Sequence, residues 1–209
     1  MRLALLLILS VLLVGCVQTA SGGPTPSPTS TPTLHFAHAP KMTINPHHRY
    51  TATLDTSDGT IVIKLLPEIA PIAVNNFVFL ARHKYYDGVI FHRVIPNFMI
   101  QTGDPTGTGM GNPGYTFKSE RVTLPYAPGT VAMANTGQPN TNGSQFFIVT
   151  GSEAGALPKT YTIFGKVIEG MSAVHKIEST PLQPNPGSGE VSQPINPPTI
   201  KHVVINESG

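Results

Sequence analysis

Arg93 is the side chain whose chemistry fits its surroundings least well. It lies in the segment "VIFHRVI", a short apolar run next to turn residues, which predicts a strand with Phe91, Arg93 and Ile95 on one face. A guanidinium cannot shed its charge, so it must reach a carboxylate, extend to water or line a pocket. The segment alone leaves a structural ion pair and a functional role equally open.

A second segment, "SQFFIVTG", has two chemically different faces. Alternation along a strand places Gln145, Phe147 and Val149 on one side and Phe146 and Ile148 on the other. The first face mixes an amide with an aromatic ring, whereas the second is purely apolar. This pattern predicts a core-facing side opposite a site-facing side, and a half-buried edge strand is the alternative.

Other chemistries find little support. Ser144, in "NGSQ", lies in no nucleophile-elbow pattern, which makes serine hydrolysis a weak hypothesis. The glycine-rich run at 107–111 lacks the Lys-Ser/Thr ending of a phosphate loop. No carboxylate or cysteine joins the four N-terminal histidines at metal-ligand spacing: His35, His38, His47 and His48. We therefore expect no metal and no cofactor.

The charge of the chain argues against nucleic acid as a partner. Its 209 residues carry a formal net charge of only +2 at pH 7, and the basic residues are scattered. The hydrophobic fraction of 40% is nevertheless sufficient for one domain with a real core.

The elements that position Arg93 and Gln145 can be predicted from periodicity and turn residues. Two alternating runs within 50–66 flank Asp58-Gly59 and predict a hairpin. Pro71 suits the first turn of a helix, which the apolar spacing extends towards Asp87-Gly88. A second short helix is predicted at Gly170–Ser179.

The remaining runs predict several short strands. They are punctuated by Gly, Pro and Asn, and they read "FMIQTG", "GTVAMAN", "TYTIFGKVI" and "TIKHVVI". The Pro- and Gly-rich piece from Pro181 to Pro198 is interpreted as a loop. Many short strands with turn-rich connections favour a closed antiparallel barrel or a sandwich.

The first sixteen residues have the features of an export signal. Arg2 precedes the apolar run Leu3–Val14, which is too short to cross a bilayer. The run ends "LVGC", which resembles the lipobox of bacterial lipoproteins, where the cysteine is lipidated and becomes the new N-terminus. This resemblance implies a signal peptide over 1–16 and a lipid anchor on Cys16, the only cysteine, at the outer side of a bacterial cell membrane. An ordinary secretory signal with an incidental Cys16 is the alternative.

The next segment, 17–45, is predicted to be a disordered linker. Its Pro, Ser, Thr and Gly content is too high to bury enough surface for folding. The folded domain is accordingly assigned to 46–209.

Four long motifs now indicate a family. "FHRVIPNFMIQTGD", "GTGMGNPGYTF", "MANTGQPNTNGSQFFIVT" and "YTIFGKVIEGM" resemble the cyclophilins, the cyclosporin-binding class of peptidyl-prolyl cis-trans isomerases. The similarity runs from about Tyr50 to Ile205. It implies a mainly β fold, a closed eight-stranded antiparallel barrel capped by two α-helices. It also implies isomerisation of X-Pro bonds in proline-containing peptides and unfolded exported proteins, without a cofactor.

The resemblance also implies a set of site residues. Arg93 would be the hydrogen-bond donor and Gln101 would orient it. Substrate-binding positions carried over by motif are Phe98, Met99, Ala134, Asn135, Gln145, Phe147 and Leu157. Tyr161 stands where many members have a histidine and would still form a wall of the groove. A binding module or chaperone with little turnover is the alternative function.

One departure from the family pattern concerns cyclosporin. The family's drug-contacting tryptophan often precedes the position of Leu157, but this chain has Ala156 there and no tryptophan anywhere. The resemblance therefore implies weakened affinity for cyclosporin.

Overall fold

The structure, a computed structural model, describes residues 35–209. The predicted signal peptide over 1–16, the lipid anchor at Cys16 and most of the predicted linker lie outside the described residues.

The fold begins with the predicted hairpin, which the structure confirms. Strand β1 spans Arg49–Thr56 and strand β2 spans Gly59–Leu65, and they pair antiparallel with Leu54 opposite Ile61. Both of these side chains are fully buried, as the alternation of apolar residues requires when one face of a hairpin covers the core.

Helix α1 spans Pro71–Arg82 and begins at the proline that predicted it. Its N-cap residue, Ala70, has no side chain that can accept a hydrogen bond. Instead, the carboxylate of Glu120 accepts hydrogen bonds from the backbone N–H groups of Ile72 and Ala73, both at 2.9 Å. A negative charge at this end also complements the helix dipole.

Five strands and a second helix follow α1. The strands are β3 Arg93–Ile95, β4 Met99–Thr102, β5 Thr130–Met133, β6 Phe146–Val149 and β7 Ile163–Glu169. Helix α2 spans Met171–Glu178. The chain continues with β8 Leu182–Pro184, β9 Val191–Pro194 and β10 Ile200–Ser208. Eight of these strands form one antiparallel sheet in the order β10-β1-β2-β7-β5-β6-β4-β3.

The prediction of a closed barrel is wrong, because the sheet is an open half-barrel. Its edge strands, β10 and β3, are not paired with each other. The segments next to these two edges are joined by an isolated bridge between Ile90 and Thr199 and by three backbone hydrogen bonds, which do not extend into a ladder between β3 and β10. Pro197 and Pro198 precede this bridge and have no N–H group to extend the ladder, and β3 contributes only three residues.

Two further predictions need correction. The segment from Pro181 to Pro198 is not a plain loop, because β8 and β9 pair within it as a separate antiparallel hairpin. Helix α1 ends at Arg82, and turns occupy the residues between there and Gly88.

The structure describes the last part of the segment predicted to be a linker, residues 35–45. The N–H of Phe36 donates to the carbonyl of Pro113 at 2.8 Å, and the N–H of Thr43 donates to Asn75 Oδ1 at 2.9 Å. Ile44 is buried in the main core. Phe36 and Ile44 thus pack against the domain, because they add apolar surface to a segment that is otherwise polar.

The core is divided between the two faces of the sheet. Phe146 and Ile148 lie in the main cluster beneath α1, whereas Phe147 and Val149 lie in a smaller cluster on the other face. Strand β6 pairs with both β4 and β5, so it is an interior strand and the edge-strand alternative is excluded.

The two α-helices of residues 35–209 contain 12 and 8 residues, and the 3-10 helix Ser152–Ala156 contains five. None of these helices reaches the length or apolar character that crossing a bilayer requires.

Candidate active site

A surface cavity of about 110 Å³ collects nearly all of the predicted site residues. It is lined by Arg93, Phe98, Met99, Gln101, Ala134, Asn135, Phe147, Leu157 and Tyr161. Gln145, the remaining predicted residue, lines an adjacent cavity of about 340 Å³ that shares Gln101, Ala134 and Asn135 with the first. The structure thus joins all ten predicted residues in one continuous groove.

Strand register explains how residues so distant in sequence come together. Arg93 lies directly opposite Gln101, Gln101 opposite Phe147, and Phe147 opposite Ala132. Residues directly opposite one another in antiparallel strands point to the same face of the sheet. The register therefore lays a charge, an amide and an aromatic ring in one row across the outer face.

Arg93 has two polar partners. Its Nε and Nη2 donate to the two oxygens of Glu190 at 2.8 and 3.0 Å, and its Nη1 donates to Gln101 Oε1 at 3.4 Å. The Arg93 side chain is 34% exposed. Arg93 therefore forms an ion pair with Glu190 and also lines the cavity.

A chain of amides continues from Gln101. Its Nε2 donates to Gln145 Oε1 at 2.9 Å, and Gln145 Nε2 donates to the carbonyls of Gly109 and Gly111, both at 2.9 Å. Each amide accepts at its oxygen and donates from its nitrogen, which fixes the orientation of both side chains. The glycine loop is thereby linked through two glutamines to Arg93.

The glycine loop itself is organised by Asp104. One carboxylate oxygen accepts hydrogen bonds from the N–H groups of Gly109 and Gly111 at 2.7 and 3.0 Å. The other accepts from the backbone and hydroxyl of Thr106, both at 2.7 Å. Burial alone would raise the pKa of the Asp104 carboxyl, but these hydrogen bonds together lower it below its ordinary value.

Glycine is needed at two places in this loop. Gly109 has φ +82°, a conformation that other residues rarely adopt. A Cβ at Gly111 would overlap the Asp104 carboxylate. The glycines of the "GTGMG" run therefore allow the backbone to pass close around the buried Asp104 carboxylate. The loop held in this way forms one edge of the groove.

The apolar part of the groove is formed by side chains that pack together in the smaller cluster. Met99 and Phe147 are buried in the smaller cluster, and Phe98, Leu157 and Tyr161 pack against it partly exposed. The rings of Phe147 and Tyr161 meet edge to face, with centroids 5.7 Å apart. This arrangement forms a fixed apolar surface that opens towards solvent beside the Arg93 guanidinium.

The segment with Ala134 and Asn135 forms another border of the groove, where the two cavities meet. The N–H of Ala134 donates to the carbonyl of Gln145 at 2.9 Å. The Asn135 side chain donates to the carbonyl of Thr160 at 3.0 Å and thus holds this segment in place. An extended peptide lying in the groove would meet this backbone along its length.

Three residues near the site were not identified from sequence. Glu190 contacts Arg93, Asp104 anchors the glycine loop, and His92 is buried near Gly109. An aspartate directly after "QTG" and before a glycine-rich loop was an available sign for Asp104. Nothing in the local sequence of Glu190 indicates its partner, because 97 residues separate the two.

The protonation states next to Arg93 are stable near neutral pH. The hydrogen bonds from Arg93 lower the pKa of Glu190 below its ordinary value, against the opposing effect of burial. Burial lowers the pKa of His92. Arg93, the one charged residue among the described residues that line the 110 Å³ cavity, therefore lies beside an ionised carboxylate and can offer a positive donor next to an apolar surface.

The chain matches the family model described as "Cyclophilin type peptidyl-prolyl cis-trans isomerase/CLD" over residues 51–205. This range contains every residue that lines the two cavities.

Curated relatives agree with this match. Peptidyl-prolyl cis-trans isomerase-like 3 of Homo sapiens is 42% identical over 159 residues, which cover 74% of this chain and 94% of that protein. Peptidyl-prolyl cis-trans isomerase A of Mycobacterium tuberculosis is 41% identical over 193 residues, covering 82% of this chain and 100% of that protein.

A solved structure shares the fold. The crystal structure of a cyclophilin type peptidyl-prolyl cis-trans isomerase of Cryptosporidium parvum superposes with a TM-score of 0.69 at 36% identity, covering 78% of this chain and 100% of that one. Another crystal structure of that protein, in the presence of the dipeptide Ala-Pro, gives a TM-score of 0.68. Sequence, fold and family model agree that this chain belongs to the cyclophilin-type peptidyl-prolyl cis-trans isomerases.

Proposed function

We propose that this isomerase acts on X-Pro bonds of extracytoplasmic proteins and assists their folding while a lipid on Cys16 holds it at a bacterial cell membrane. The observation that carries the proposed catalytic site is that Arg93 lines one cavity of about 110 Å³ together with the apolar side chains of Phe98, Phe147 and Leu157. The location is supported by the sequence that ends in "LVGC" and by the polar linker that follows it.

The reaction requires no bond to be broken. Rotation about the peptide bond must overcome amide resonance, a barrier of about 18–20 kcal/mol. In the twisted amide the proline nitrogen regains a lone pair. A donor directed at that nitrogen stabilises the twisted state more than either planar state, and this difference accelerates the rotation.

Arg93 is the donor in this mechanism. Phe98, Met99, Phe147 and Leu157 would hold the proline ring, and Gln101 would orient both the guanidinium and the substrate carbonyl. Uncatalysed isomerisation takes roughly 10–100 s, and an acceleration of about five decades needs about 7 kcal/mol. One charged hydrogen bond does not supply all of this, so positioning and removal of water must contribute the rest.

The substrate class follows from the groove. The Cryptosporidium parvum protein was crystallised in the presence of Ala-Pro, and we assign proline-containing segments of peptides to the corresponding groove here. Unfolded exported chains present such segments on the side of the membrane where this protein would be anchored. We also expect weakened cyclosporin affinity, because the exposed Ala156, which precedes Leu157, carries a methyl group in place of a large indole.

The rate of catalysis should be nearly independent of pH between about 6.5 and 8, as judged from initial rates on a proline-containing tetrapeptide. Lowered pKa values keep Glu190 and Asp104 ionised over this range, and the lowered pKa of His92 favours its neutral form. Arg93 remains charged throughout. A bell-shaped profile within this range would reveal a proton-transfer step and refute the mechanism.

The anchor can be tested by fractionating bacteria that express the full-length chain or its Cys16→Ser variant. We expect the parent chain to sediment with membranes and to incorporate labelled fatty acid, and the variant to do neither. Equal distribution of the two chains without labelling would show that Cys16 is incidental.

A further inference from the structure

We propose that Glu190 is a positioning residue for catalysis, which holds the Arg93 guanidinium in the orientation used to meet the substrate. This inference rests on the proposed role of Arg93 as donor. It assigns a task to the β8–β9 hairpin, which forms a two-stranded sheet of its own beside β3.

The contact between the two side chains has a defined geometry. Glu190 Oε2 accepts from Nε at 2.8 Å and Oε1 accepts from Nη2 at 3.0 Å, so the planar carboxylate and the planar guanidinium meet through two bonds. Two parallel bonds fix the rotation of the guanidinium plane, which a single contact would leave free. Without them the long Arg93 side chain would be held only by its 3.4 Å contact with Gln101.

Glu190, which carries this carboxylate, lies at the end of a hydrogen-bonded turn. The N–H of Asn185 donates to the carbonyl of Glu190 at 2.7 Å, and the N–H of Gly189 donates to the carbonyl of Asn185 at 2.7 Å. Gly189 has φ +73°, which allows the chain to reverse there. Strand β9 then begins at Val191, directly after Glu190, and pairs with β8.

The bonding leaves the remaining donors of Arg93 available. A guanidinium carries five N–H bonds. Glu190 engages Nε and one N–H of Nη2, and Gln101 engages one N–H of Nη1. Among these contacts, one N–H on Nη1 and one on Nη2 have no partner. The ion pair therefore fixes the guanidinium plane while both terminal nitrogens keep a donor for the substrate.

Stabilisation of the fold does not explain this pair. The two side chains are 34% and 39% exposed, and ion pairs with this much solvent contact contribute little to folding. Loss of the carboxylate should therefore leave the chain folded and act on the orientation of Arg93.

The test is a double-mutant cycle on full-length chain in detergent, with kcat and KM measured on a proline-containing tetrapeptide. Glu190→Ala should lower kcat about fivefold with little change in KM, and Glu190→Asp should recover part of this loss. In chains that already carry Arg93→Ala, the same Glu190→Ala change should have no further effect. Asp55→Ala is the matched control, since Asp55 pairs with Lys201 at 3.6 Å, neither residue lines the groove, and its removal should leave kcat unchanged.

Several outcomes would overturn the proposal. An equal loss of kcat in the Arg93 and Arg93→Ala chains would show that Glu190 acts through the general structure of the hairpin. No loss, or a gain, in the Arg93 chain would show that it does not assist Arg93.

A spectroscopic measurement separates this proposal from the proposed function. The Nε–H resonance of Arg93 should be protected from exchange with water in the parent chain and in Asp55→Ala, and should lose protection in Glu190→Ala. Absence of activity in the parent chain would refute the proposed function alone. An unprotected Nε–H in the parent chain would refute the positioning role whatever the activity.

Discussion

Replacing Arg93 with alanine is expected to lower kcat/KM on a proline-containing tetrapeptide at least tenfold, about 1.4 kcal/mol or more of transition-state stabilisation. The change removes the only charged donor among the residues that line the 110 Å³ cavity. The apolar surface formed by Phe98, Phe147 and Leu157 remains, so the variant should still bind peptide and the loss should fall mainly on kcat.

The variant should remain folded, because Arg93 is partly exposed and its ion pair with Glu190 is solvent-accessible. Circular dichroism and thermal unfolding would verify this. Arg82→Ala is the matched control, since Arg82 pairs with Glu207 at 2.9 Å away from the groove and should keep full activity. A parent-like kcat/KM for Arg93→Ala would remove Arg93 from the mechanism.

Phe146→Ala is expected to lower the free energy of unfolding by about 3–5 kcal/mol. Phe146 is fully buried, and its ring contacts Phe77 of α1 edge to face at a centroid distance of 5.5 Å. It also contacts Tyr86 at 5.7 Å and Phe164 at 6.1 Å. Removing it leaves a cavity between the helix and the sheet on which the groove is built.

Urea denaturation measures this loss directly. The matched control is Phe98→Ala, which removes the same ring from a partly exposed position at the cavity. We expect Phe98→Ala to cost less stability and to reduce activity on the tetrapeptide. A loss below about 1 kcal/mol for Phe146→Ala would contradict the assignment of the two faces of β6.

Much of the fold could be predicted because the relevant interactions are local. The β1–β2 hairpin follows from alternation on both sides of one turn, and α1 follows from Pro71 and apolar spacing. The two faces of β6 could be assigned for the same reason, because a period of two decides which side chains share a face.

The predictions failed where long-range pairing decides the outcome. Whether a sheet closes depends on the pairing of its edge strands, and the prolines at 197 and 198 interrupt the pairing next to Thr199. The hairpin of β8 and β9 has three and four residues rich in proline and glutamine, too short for a periodic pattern.

In the candidate site, too, the residues within motifs could be predicted and those that depend on long-range contacts could not. Sequence motifs identified Arg93, Gln101 and Phe147 as candidates, and the strand register places them in one row. Glu190 has no motif and meets Arg93 only through the tertiary structure. The initial question about Arg93, an ion pair or a functional residue, had no answer from sequence, because the same side chain forms an ion pair and lines the cavity.

The central claim, that the groove around Arg93 turns over X-Pro bonds, is tested most directly by isomerisation of a proline-containing tetrapeptide by the full-length chain in detergent. We predict that the cis-to-trans rate rises in proportion to enzyme concentration and that an equal concentration of Arg93→Ala raises it at least tenfold less. If the parent chain binds the peptide without accelerating its isomerisation, the groove is only a binding site and the account is contradicted.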